Sequence, residues 1–244
     1  MAGDTQGETI HYQAGSTELV GWAATGKGDG PRPGVVVVHE WWGLNDYIRG
    51  RANQLAELGY EAVAADMYGG GQTASDPEGA TALMSAALGD VPALEQKLQA
   101  AVDALKARPG VDGSKIAAIG YCFGGAVVLH GARIGMPLAA VTSFHGSLGS
   151  FHDPAPGGVK AKVLVCHGAD DALVPESDIE ALNKQMKDCG ADYRFIAYPG
   201  AKHGFTNPEA TSKAEKFGMP LGYDADADAR SWADMKSLLS KVFA

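Results

Sequence analysis

The segment Gly120-Tyr-Cys-Phe-Gly-Gly125 decides the fold, because it stands between a predicted strand, Lys115–Gly120, and a helix predicted from about Phe123. Its G-x-C-x-G-G pattern matches the tight strand-to-helix turn called a nucleophile elbow, with cysteine in place of the usual serine. The backbone of such a turn is strained, so the residues two positions before and after the nucleophile must be small. Gly120 and Gly124 occupy these two positions. The segment therefore predicts an α/β architecture in which a strand delivers a reactive side chain to a helix N-terminus.

Cys122 is the side chain that this turn would present. The partial positive charge at a helix N-terminus favours the thiolate form of a cysteine. The amide of Phe123 would point at the oxygen of a reacting carbonyl and supply one half of an oxyanion hole. Taken alone, G-x-C-x-G also fits a buried cysteine beside glycines that pack a helix. The strand before it, the helix after it and the motifs elsewhere in the chain favour catalysis.

Strand and helix patterns alternate on both sides of the elbow. The β-branched run Val35–Val38 indicates a strand buried on both faces of a parallel sheet. Apolar residues at helical spacing over Leu94–Leu105 predict an amphipathic helix, which Pro109-Gly110 ends. Two short antiparallel strands, Glu8–Gln13 and Thr17–Ala24, are predicted before the first buried strand.

Further elements follow from the same criteria. Strands are predicted at Tyr60–Ala65, Leu138–Phe144, Ala161–His167 and Tyr193–Tyr198, and helices around Ile48–Gly59, Pro77–Leu88, Ile179–Met186 and Trp232–Val242. This order predicts a single α/β domain over residues 1–244. We expect a mostly parallel sheet with helices on both faces and an antiparallel N-terminal hairpin.

The composition of the chain excludes several classes of protein. Its 244 residues are 45% hydrophobic, which suffices for a sizeable core without disulfides or metal. It carries 29 acidic and 20 basic residues and a formal net charge of −9, so binding to nucleic acid or to an anionic membrane is not expected. No apolar stretch approaches the roughly 18–20 residues that span a bilayer.

The start of the chain and its cysteines bear on location. Met1–Glu8 lacks the basic and apolar regions of a signal peptide. Cys122, Cys166 and Cys189 cannot all pair within one chain and form no C-x-x-C motif, so free thiols are the simplest interpretation. We therefore expect a cytoplasmic protein, as a monomer or a weak dimer. No metal or organic cofactor is expected, because no H-E-x-x-H motif, Cys/His cluster or P-loop is present.

A cysteine nucleophile needs a base, and the base needs an orienting acid. On an elbow architecture the acid and then the histidine follow the nucleophile along the chain. His203 is the candidate base, because its loop, Pro199–Phe205, follows a predicted strand and places glycine beside the histidine. Asp171 is the candidate acid, since the H-G-x-x-D-x-x-V-P spacing of His167–Pro175 selects it. The adjacent Asp170 is the alternative, because only one of the two can meet the imidazole.

The loop after the first buried strand, His39-Glu-Trp-Trp-Gly-Leu-Asn45, is the fourth element. A loop at this place can supply the second oxyanion-hole amide, for which Trp41 is the candidate. Glu40 sets a carboxylate beside aromatic residues at the predicted sheet edge, although a solvated loop residue is the alternative. His145 and His167 end predicted strands, where a core or supporting role is expected.

Together these stretches resemble the dienelactone hydrolase family of α/β-hydrolases, over about residues 8–243. The matching motifs are His39-Glu-Trp-Trp-Gly-Leu-Asn45, Gly120-Tyr-Cys-Phe-Gly-Gly125, His167-Gly-Ala-Asp-Asp171 and His203-Gly-Phe205. The resemblance implies the α/β-hydrolase fold and a catalytic triad of Cys122, His203 and Asp171. It also implies that Glu40 contacts the resting thiol and helps to form the thiolate when substrate enters. The reaction of the family is hydrolysis of an enol-lactone through a thioester acyl-enzyme.

The chain departs from this family at the site for the substrate carboxylate. Dienelactone enzymes bind that carboxylate with two arginines, whereas Met67–Gln72 contains no arginine and Asn207 stands four residues beyond the candidate histidine. An aromatic-lined, less anionic pocket is expected instead. Its predicted lining residues are Trp42, Tyr68, Phe205 and Asn207. The alternative is that some of these aromatic residues belong to the core.

The sequence therefore predicts a hydrolase that cleaves a small lactone or an activated, enol-type ester through a thioester on the cysteine. A thiolate is a good leaving group, so unactivated alkyl esters should react poorly. A thioesterase or carboxylesterase on the same triad is one alternative. A catalytically silent, ligand-binding member of the fold is another, and a redox-sensing thiol is a weaker one.

Overall fold

The structure is a computed structural model that describes residues 7–244. Within this range its elements are β1 (Glu8–Ala14), β2 (Thr17–Ala24), β3 (Arg32–Val38), α1 (Asp46–Glu57), β4 (Glu61–Ala65), α2 (Pro77–Leu88), α3 (Val91–Lys106), β5 (Val111–Tyr121), α4 (Phe123–Arg133), β6 (Ala140–Phe144), β7 (Lys162–Gly168), α5 (Glu176–Asp188), β8 (Tyr193–Tyr198), α6 (Ala210–Phe217) and α7 (Ala225–Val242). Residues 1–6 lie outside the described range, and with them most of the stretch that bears on a signal peptide. None of the helices in residues 7–244 combines the length and apolar character of a membrane-spanning helix.

The eight strands follow the order β1-β2-β4-β3-β5-β6-β7-β8. Strand β2 runs antiparallel to both β1 and β4, whereas β3 and β4, β6 and β7, and β7 and β8 pair in parallel. This topology confirms the predicted α/β fold with a mostly parallel sheet and an antiparallel N-terminal hairpin. The residues group into two compact units, one ending at Ala118 and the other spanning Ile119–Ala244. A single domain over the whole chain stays a prediction.

In the unit that ends at Ala118, the β3 run Val35–Val38 is completely buried, as a strand covered on both faces should be. Helix α1 follows the loop after β3. The side chain of Asn45 caps this helix by accepting a hydrogen bond from the Ile48 amide at 3.3 Å. The cap fixes where the loop ends and therefore limits the conformations open to its Glu-Trp-Trp segment.

The carboxylate of Asp66 organises the glycine-rich loop after β4. It is buried and accepts backbone hydrogen bonds from Tyr68 at 2.9 Å, from Gly69 at 2.8 Å and from Gly71 at 2.8 Å. A fourth donor, the amide of Val20 on β2, lies 3.1 Å away. Because these four donors replace the water that a buried carboxylate would lose, the loop is held in one conformation.

In the unit Ile119–Ala244, helix α6 was not expected from the sequence. Only Ala210 of its eight residues is buried, and its apolar residues Ala210, Ala214 and Phe217 span only about two turns, which is too short for a periodicity argument to identify a helix. Helix α7 also begins earlier than the expected Trp232. The side chain of Asp224 caps it by accepting from the Ala227 amide at 2.9 Å, and aspartates in its first turns gave no apolar signal.

Candidate active site

The turn between β5 and α4 has the strained geometry expected of a nucleophile elbow. Cys122 adopts φ 52° and ψ −114°, and among residues 7–244 it shares a positive φ with one other non-glycine residue, His145. Such a conformation costs about 1–3 kcal/mol and persists only where the surroundings impose it. Here the Cys122 amide donates to the carbonyl of Phe144 at the end of β6, at 3.0 Å. The side chain of Cys122 is partly exposed.

The glycines of the elbow are there for steric reasons. A methyl group at Gly120 would overlap the carbonyl of Gly124, where the strand and the first turn of α4 meet. A methyl group at Gly125 would lie 2.6 Å from the hydroxyl of Ser143 and 2.8 Å from the Cα of Gly146. The sequence pattern therefore reflects close backbone approach on both sides of Cys122.

Asp171, His203 and Cys122 form one hydrogen-bonded chain. The Nδ1 of His203 lies 2.8 Å from Oδ2 of Asp171, and the imidazole also hydrogen-bonds the side chain of Cys122. The other carboxylate oxygen of Asp171 accepts from the Leu173 amide at 2.9 Å. Asp171 and His203 are both buried, whereas Asp170, the alternative acid, is exposed. The structure thus places Asp171, and not Asp170, against the imidazole.

The surroundings of His203 favour a charged imidazole. Burial alone would lower the pKa of His203, but the charge and hydrogen bond of the Cys122 side chain and those of Asp171 raise the pKa to about 10. At neutral pH the imidazolium is therefore the favoured form. A positive charge beside the sulfur in turn stabilises a thiolate.

Backbone contacts join the acid loop to the histidine loop. The amide of Ala169 donates to the Tyr198 carbonyl and that of Asp170 to the Ala201 carbonyl, both at 2.9 Å. A methyl group at Gly168 would lie 2.5 Å from the same Ala201 carbonyl oxygen. The glycine of the H-G-x-x-D motif is thus needed because the two loops run in contact.

In the unit that ends at Ala118, His39 fixes the loop that was predicted to hold the second oxyanion amide. The amide of Met67 donates to Nε2 of His39 at 3.2 Å, so the ring proton must be on Nδ1, which donates to the Glu40 carbonyl at 2.6 Å. Burial lowers the pKa of His39 to about 4, which keeps this ring neutral. The Glu40 carbonyl also accepts from Gly43 at 3.1 Å. The orientation of the Glu40–Trp41 peptide is therefore held from two sides.

The residues predicted to line a pocket fall into two groups. Trp42 and Tyr68 are largely buried in the first unit, where the Tyr68 hydroxyl donates to the Trp41 carbonyl at 2.9 Å. Their place in a pocket stays a prediction. Phe205 and Asn207 require a correction, because neither is accessible to a substrate.

Phe205 has no exposed surface, and its ring packs against Tyr198 and His145 with centroids 5.6 Å and 5.3 Å away. Asn207 is 1% exposed, and its Oδ1 accepts from the Glu209 amide at 2.9 Å, which shapes the turn before α6. Aromatic character and spacing from His203 indicated that these two residues line a pocket. In the structure Phe205 belongs to the core, and Asn207 stabilises a turn.

Sequence reasoning left the detailed roles of His39 and His145 open. Both stand directly after a buried strand, which was the available signal, but their partners come from other strands and loops. Within the described part of the chain, no group of three or more His, Cys, Asp or Glu side chains is arranged to hold a metal ion.

Comparison with known proteins adds to this geometry. Residues 19–243 match the sequence model of the "Dienelactone hydrolase family". The chain is 41% identical to a dienelactone hydrolase-like promiscuous phosphotriesterase from metagenomic libraries; the alignment covers 97% of this chain and 98% of that one, with a TM-score of 0.88.

Two curated relatives are similar over shorter or more divergent alignments. An uncharacterized protein of Caenorhabditis elegans is 35% identical over 62% of this chain and 95% of its own length. A Synechocystis protein named "Putative carboxymethylenebutenolidase" is 28% identical over 91% of both chains.

Proposed function

The chain belongs to the dienelactone hydrolase family, a family of hydrolases, and we propose that it cleaves small lactones or activated, enol-type esters through a thioester on Cys122. The observation that carries this proposal is the hydrogen-bonded chain from buried Asp171 through buried His203 to the partly exposed Cys122. It pairs a nucleophile at a strained turn with a base that is itself held by an acid.

In the acylation step the Cys122 thiolate attacks the carbonyl carbon of the ester and forms a C–S bond. The C–O bond to the leaving group then breaks, and an enolate departs and takes up a proton to become the ketone. The imidazolium of His203 is the proton source for this step. Because a thiolate is itself easily expelled, the reaction goes forward only with a leaving group at least as good, such as an enolate.

In the deacylation step His203 acts as a general base. The neutral imidazole takes a proton from water, and the hydroxide adds to the thioester carbonyl. The C–S bond breaks, the carboxylic acid is released, and the thiolate–imidazolium pair is restored. Asp171, through its 2.8 Å contact with Nδ1, holds the ring with Nε2 toward the sulfur throughout.

We assign the oxyanion hole to the backbone amides of Phe123 and Trp41. Phe123 is the first residue of α4 and directly follows Cys122, so its amide lies at the positive end of the helix dipole, and this position supports the assignment. The fixed Glu40–Trp41 peptide supports the second amide. We propose that Glu40, 4% exposed, contacts Cys122 in its thiol form, which is in equilibrium with the thiolate–imidazolium pair, and helps to convert it to the thiolate when substrate enters.

The proposed substrate class rests on the loop after β4, which has no arginine to bind a substrate carboxylate. Met67–Gln72 contains no arginine, and the carboxylate of Asp66 already holds its amides. An anionic acyl group would therefore find no guanidinium in this loop. We propose neutral lactones and esters as substrates, with Trp42 and Tyr68 as candidate pocket residues.

The decisive experiment is to trap the acyl-enzyme. Wild-type protein mixed with p-nitrophenyl acetate should give a burst of p-nitrophenol, abolished by iodoacetamide, and peptide mapping should place an acetyl group on Cys122. Phenyl or enol acetates should turn over faster than ethyl acetate by more than about tenfold. Cys122→Ser should lose at least about 10²-fold in kcat/KM, because a hydroxyl is far less acidic than a thiol.

Three outcomes would favour other assignments. Turnover of thioesters or of unactivated ethyl esters at equal or higher rates would support the thioesterase or carboxylesterase alternative. An absence of any acyl group on Cys122 with every ester tested would support a ligand-binding member of the fold. Turnover by the Cys122→Ser variant close to that of wild type would contradict the thiolate scheme.

A phosphotriester is the second candidate substrate. The relative that is 41% identical over nearly the whole chain is a promiscuous phosphotriesterase. Phosphotriesters, like the esters proposed above, are neutral and need no carboxylate-binding arginine. Paraoxon hydrolysis by the wild type, lost in the Cys122→Ser variant, would support this activity, and hydrolysis that survives in that variant would not.

A further inference from the structure

His145 stands directly after β6 in an unusual backbone conformation. Its φ is 40°, and apart from Cys122 it is the sole non-glycine residue with a positive φ in the described part of the chain. The residue is completely buried. A strained, buried residue persists where its surroundings over-determine it, and such residues cluster at functional sites.

The backbone on both sides of His145 is seated against the elbow. The carbonyl of Phe144, just before it, accepts the Cys122 amide at 3.0 Å. Gly146, just after it, approaches Gly125 so closely that a methyl group at Gly146 would lie 2.9 Å from the Gly125 Cα. The amide of His145 itself donates to the Cys166 carbonyl at 2.8 Å. Its main chain is therefore fixed relative to the nucleophile.

The side chain of His145 reaches from there to the histidine loop. Its ring meets the ring of His203 edge-on, with centroids 5.3 Å apart and planes at 64°. It meets Phe205 in the same manner at 5.3 Å and 77°. Its Nε2 lies 2.7 Å from the hydroxyl of Thr206. His145 thus contacts the ring of His203 and two residues of the same loop, Phe205 and Thr206.

We infer that His145 is a positioning residue, which holds the imidazole of His203 at the correct distance and tilt from the sulfur of Cys122. The edge-to-face contact of His145 restrains the plane of the His203 ring, and the Thr206 hydrogen bond holds the His145 ring in place for that contact, while Asp171 holds one atom of the His203 ring. The strain at His145 is retained because relaxing it would withdraw the ring from the loop. This role rests on the proposed function and adds a residue that the triad does not include.

The test uses two readouts on the full chain. The first is the pH dependence of Cys122 alkylation by iodoacetamide, which needs the thiolate but no oxyanion hole and no ester. The second is kcat/KM for p-nitrophenyl acetate. The titratable groups that face the His203 imidazole are Cys122, Asp171, His145 and His167. Alkylation therefore reports directly whether the imidazolium still stands beside the sulfur.

His145→Leu should shift the acidic limb of the alkylation profile upward by about one pH unit and lower kcat/KM by on the order of 10²-fold, as expected for a misplaced catalytic group. His145→Phe keeps the ring and should recover most of both losses. Thr206→Val removes only the hydroxyl and should give a smaller shift in the same direction. If His145→Leu does not fold, Thr206→Val carries the test, and a wild-type profile in that variant alone would overturn the inference.

Leu182→Ala, a buried change in α5 away from this cluster, is the control for lost stability, and it should leave the alkylation profile unchanged. A wild-type alkylation profile in both His145→Leu and Thr206→Val would overturn the inference. The inference would also be overturned if the His145 and Thr206 variants lost activity only in proportion to the fraction of unfolded protein, as expected for Leu182→Ala. A wild type that alkylates as expected but forms no acyl-enzyme would refute the proposed function, while the alkylation profiles would still decide the role of His145.

Discussion

Two buried histidines in loops that follow strands differ in the partners that their ring nitrogens meet. His39 faces a backbone amide and a backbone carbonyl, and its pKa is lowered to about 4. His203 faces the carboxylate of Asp171 and the sulfur of Cys122, and its pKa is raised to about 10. Both are almost without solvent contact, at 0% and 5% exposure.

The comparison shows that burial alone does not decide the charge of a histidine. Desolvation penalises the charged form in both residues, and at His39 no contact outweighs it. At His203 the neighbouring Cys122 and Asp171 reverse its effect. The same residue type is thus neutral where it hydrogen-bonds the backbone of one loop and charged where it contacts the side chains of Cys122 and Asp171.

The largest expected effect comes from substituting Asp171, the carboxylate whose contact distinguishes His203 from His39. Asp171→Asn should lower the pKa of His203 and reduce kcat/KM for p-nitrophenyl acetate by on the order of 10³-fold or more, since the imidazole loses its charge partner and its orientation. The neighbouring, exposed Asp170→Asn is the matched control and should stay close to wild type. Similar losses in the two variants would contradict the assignment of Asp171.

A second effect concerns stability at acid pH. Because the pKa of His39 is about 4 in the folded state and 6.5 ordinarily, the unfolded chain binds more protons between these values, so stability falls as the pH is lowered through this window. The loss amounts to roughly 3 kcal/mol by pH 4. His39→Gln keeps an acceptor and a donor but cannot titrate, so its free energy of unfolding should lack this loss.

Urea unfolding at pH 7, 5.5 and 4 measures the difference between wild type and His39→Gln. The two free energies should converge, or cross in favour of the variant, as the pH falls. Parallel curves over this range would show that His39 titrates normally and would break the comparison with His203.

The smallest effect is expected at His167, an intermediate case. Burial lowers its pKa, while the nearby Asp171 opposes that shift without overcoming it. Its NMR titration should lie below 6.5 in the wild type and move further down, by less than about one pH unit, in Asp171→Asn. A titration of His167 that ignores the substitution would show that Asp171 acts on His203 alone.

Local steric rules explain how much of this could be predicted from the sequence. The elbow glycines, the strand before Cys122 and the helix after it lie within a few residues of one another, so the pattern identified the turn and placed Cys122 in it. The H-G-x-x-D-x-x-V-P spacing and the order acid then histidine indicated Asp171 and His203, whose Oδ2 and Nδ1 atoms lie 2.8 Å apart, while their catalytic roles stay predictions. The predicted pocket positions of Phe205 and Asn207 were wrong. They were based on residue type and spacing, which do not determine which side chains of a loop become buried.

Long-range partners could not be predicted in the same way. The hydrogen bond from Met67 to His39 joins the ends of β3 and β4, and the contact of His145 with Thr206 joins β6 to a loop sixty-one residues later in the chain. Helix α6 was missed because its apolar residues span only about two turns, too short a stretch for a periodic pattern to be recognised. The sequence therefore yields the chemistry of the site more readily than the contacts that hold it in place.

The charge on His203 at neutral pH is the claim on which the mechanism depends, and an NMR titration of its ring tests it most directly. In wild-type protein, with the signal assigned through a His203→Gln variant, the ring should stay protonated up to a pH well above 8, and its pKa should fall in Asp171→Asn. A His203 ring that is neutral at pH 7, as His39 is expected to be, would contradict the account.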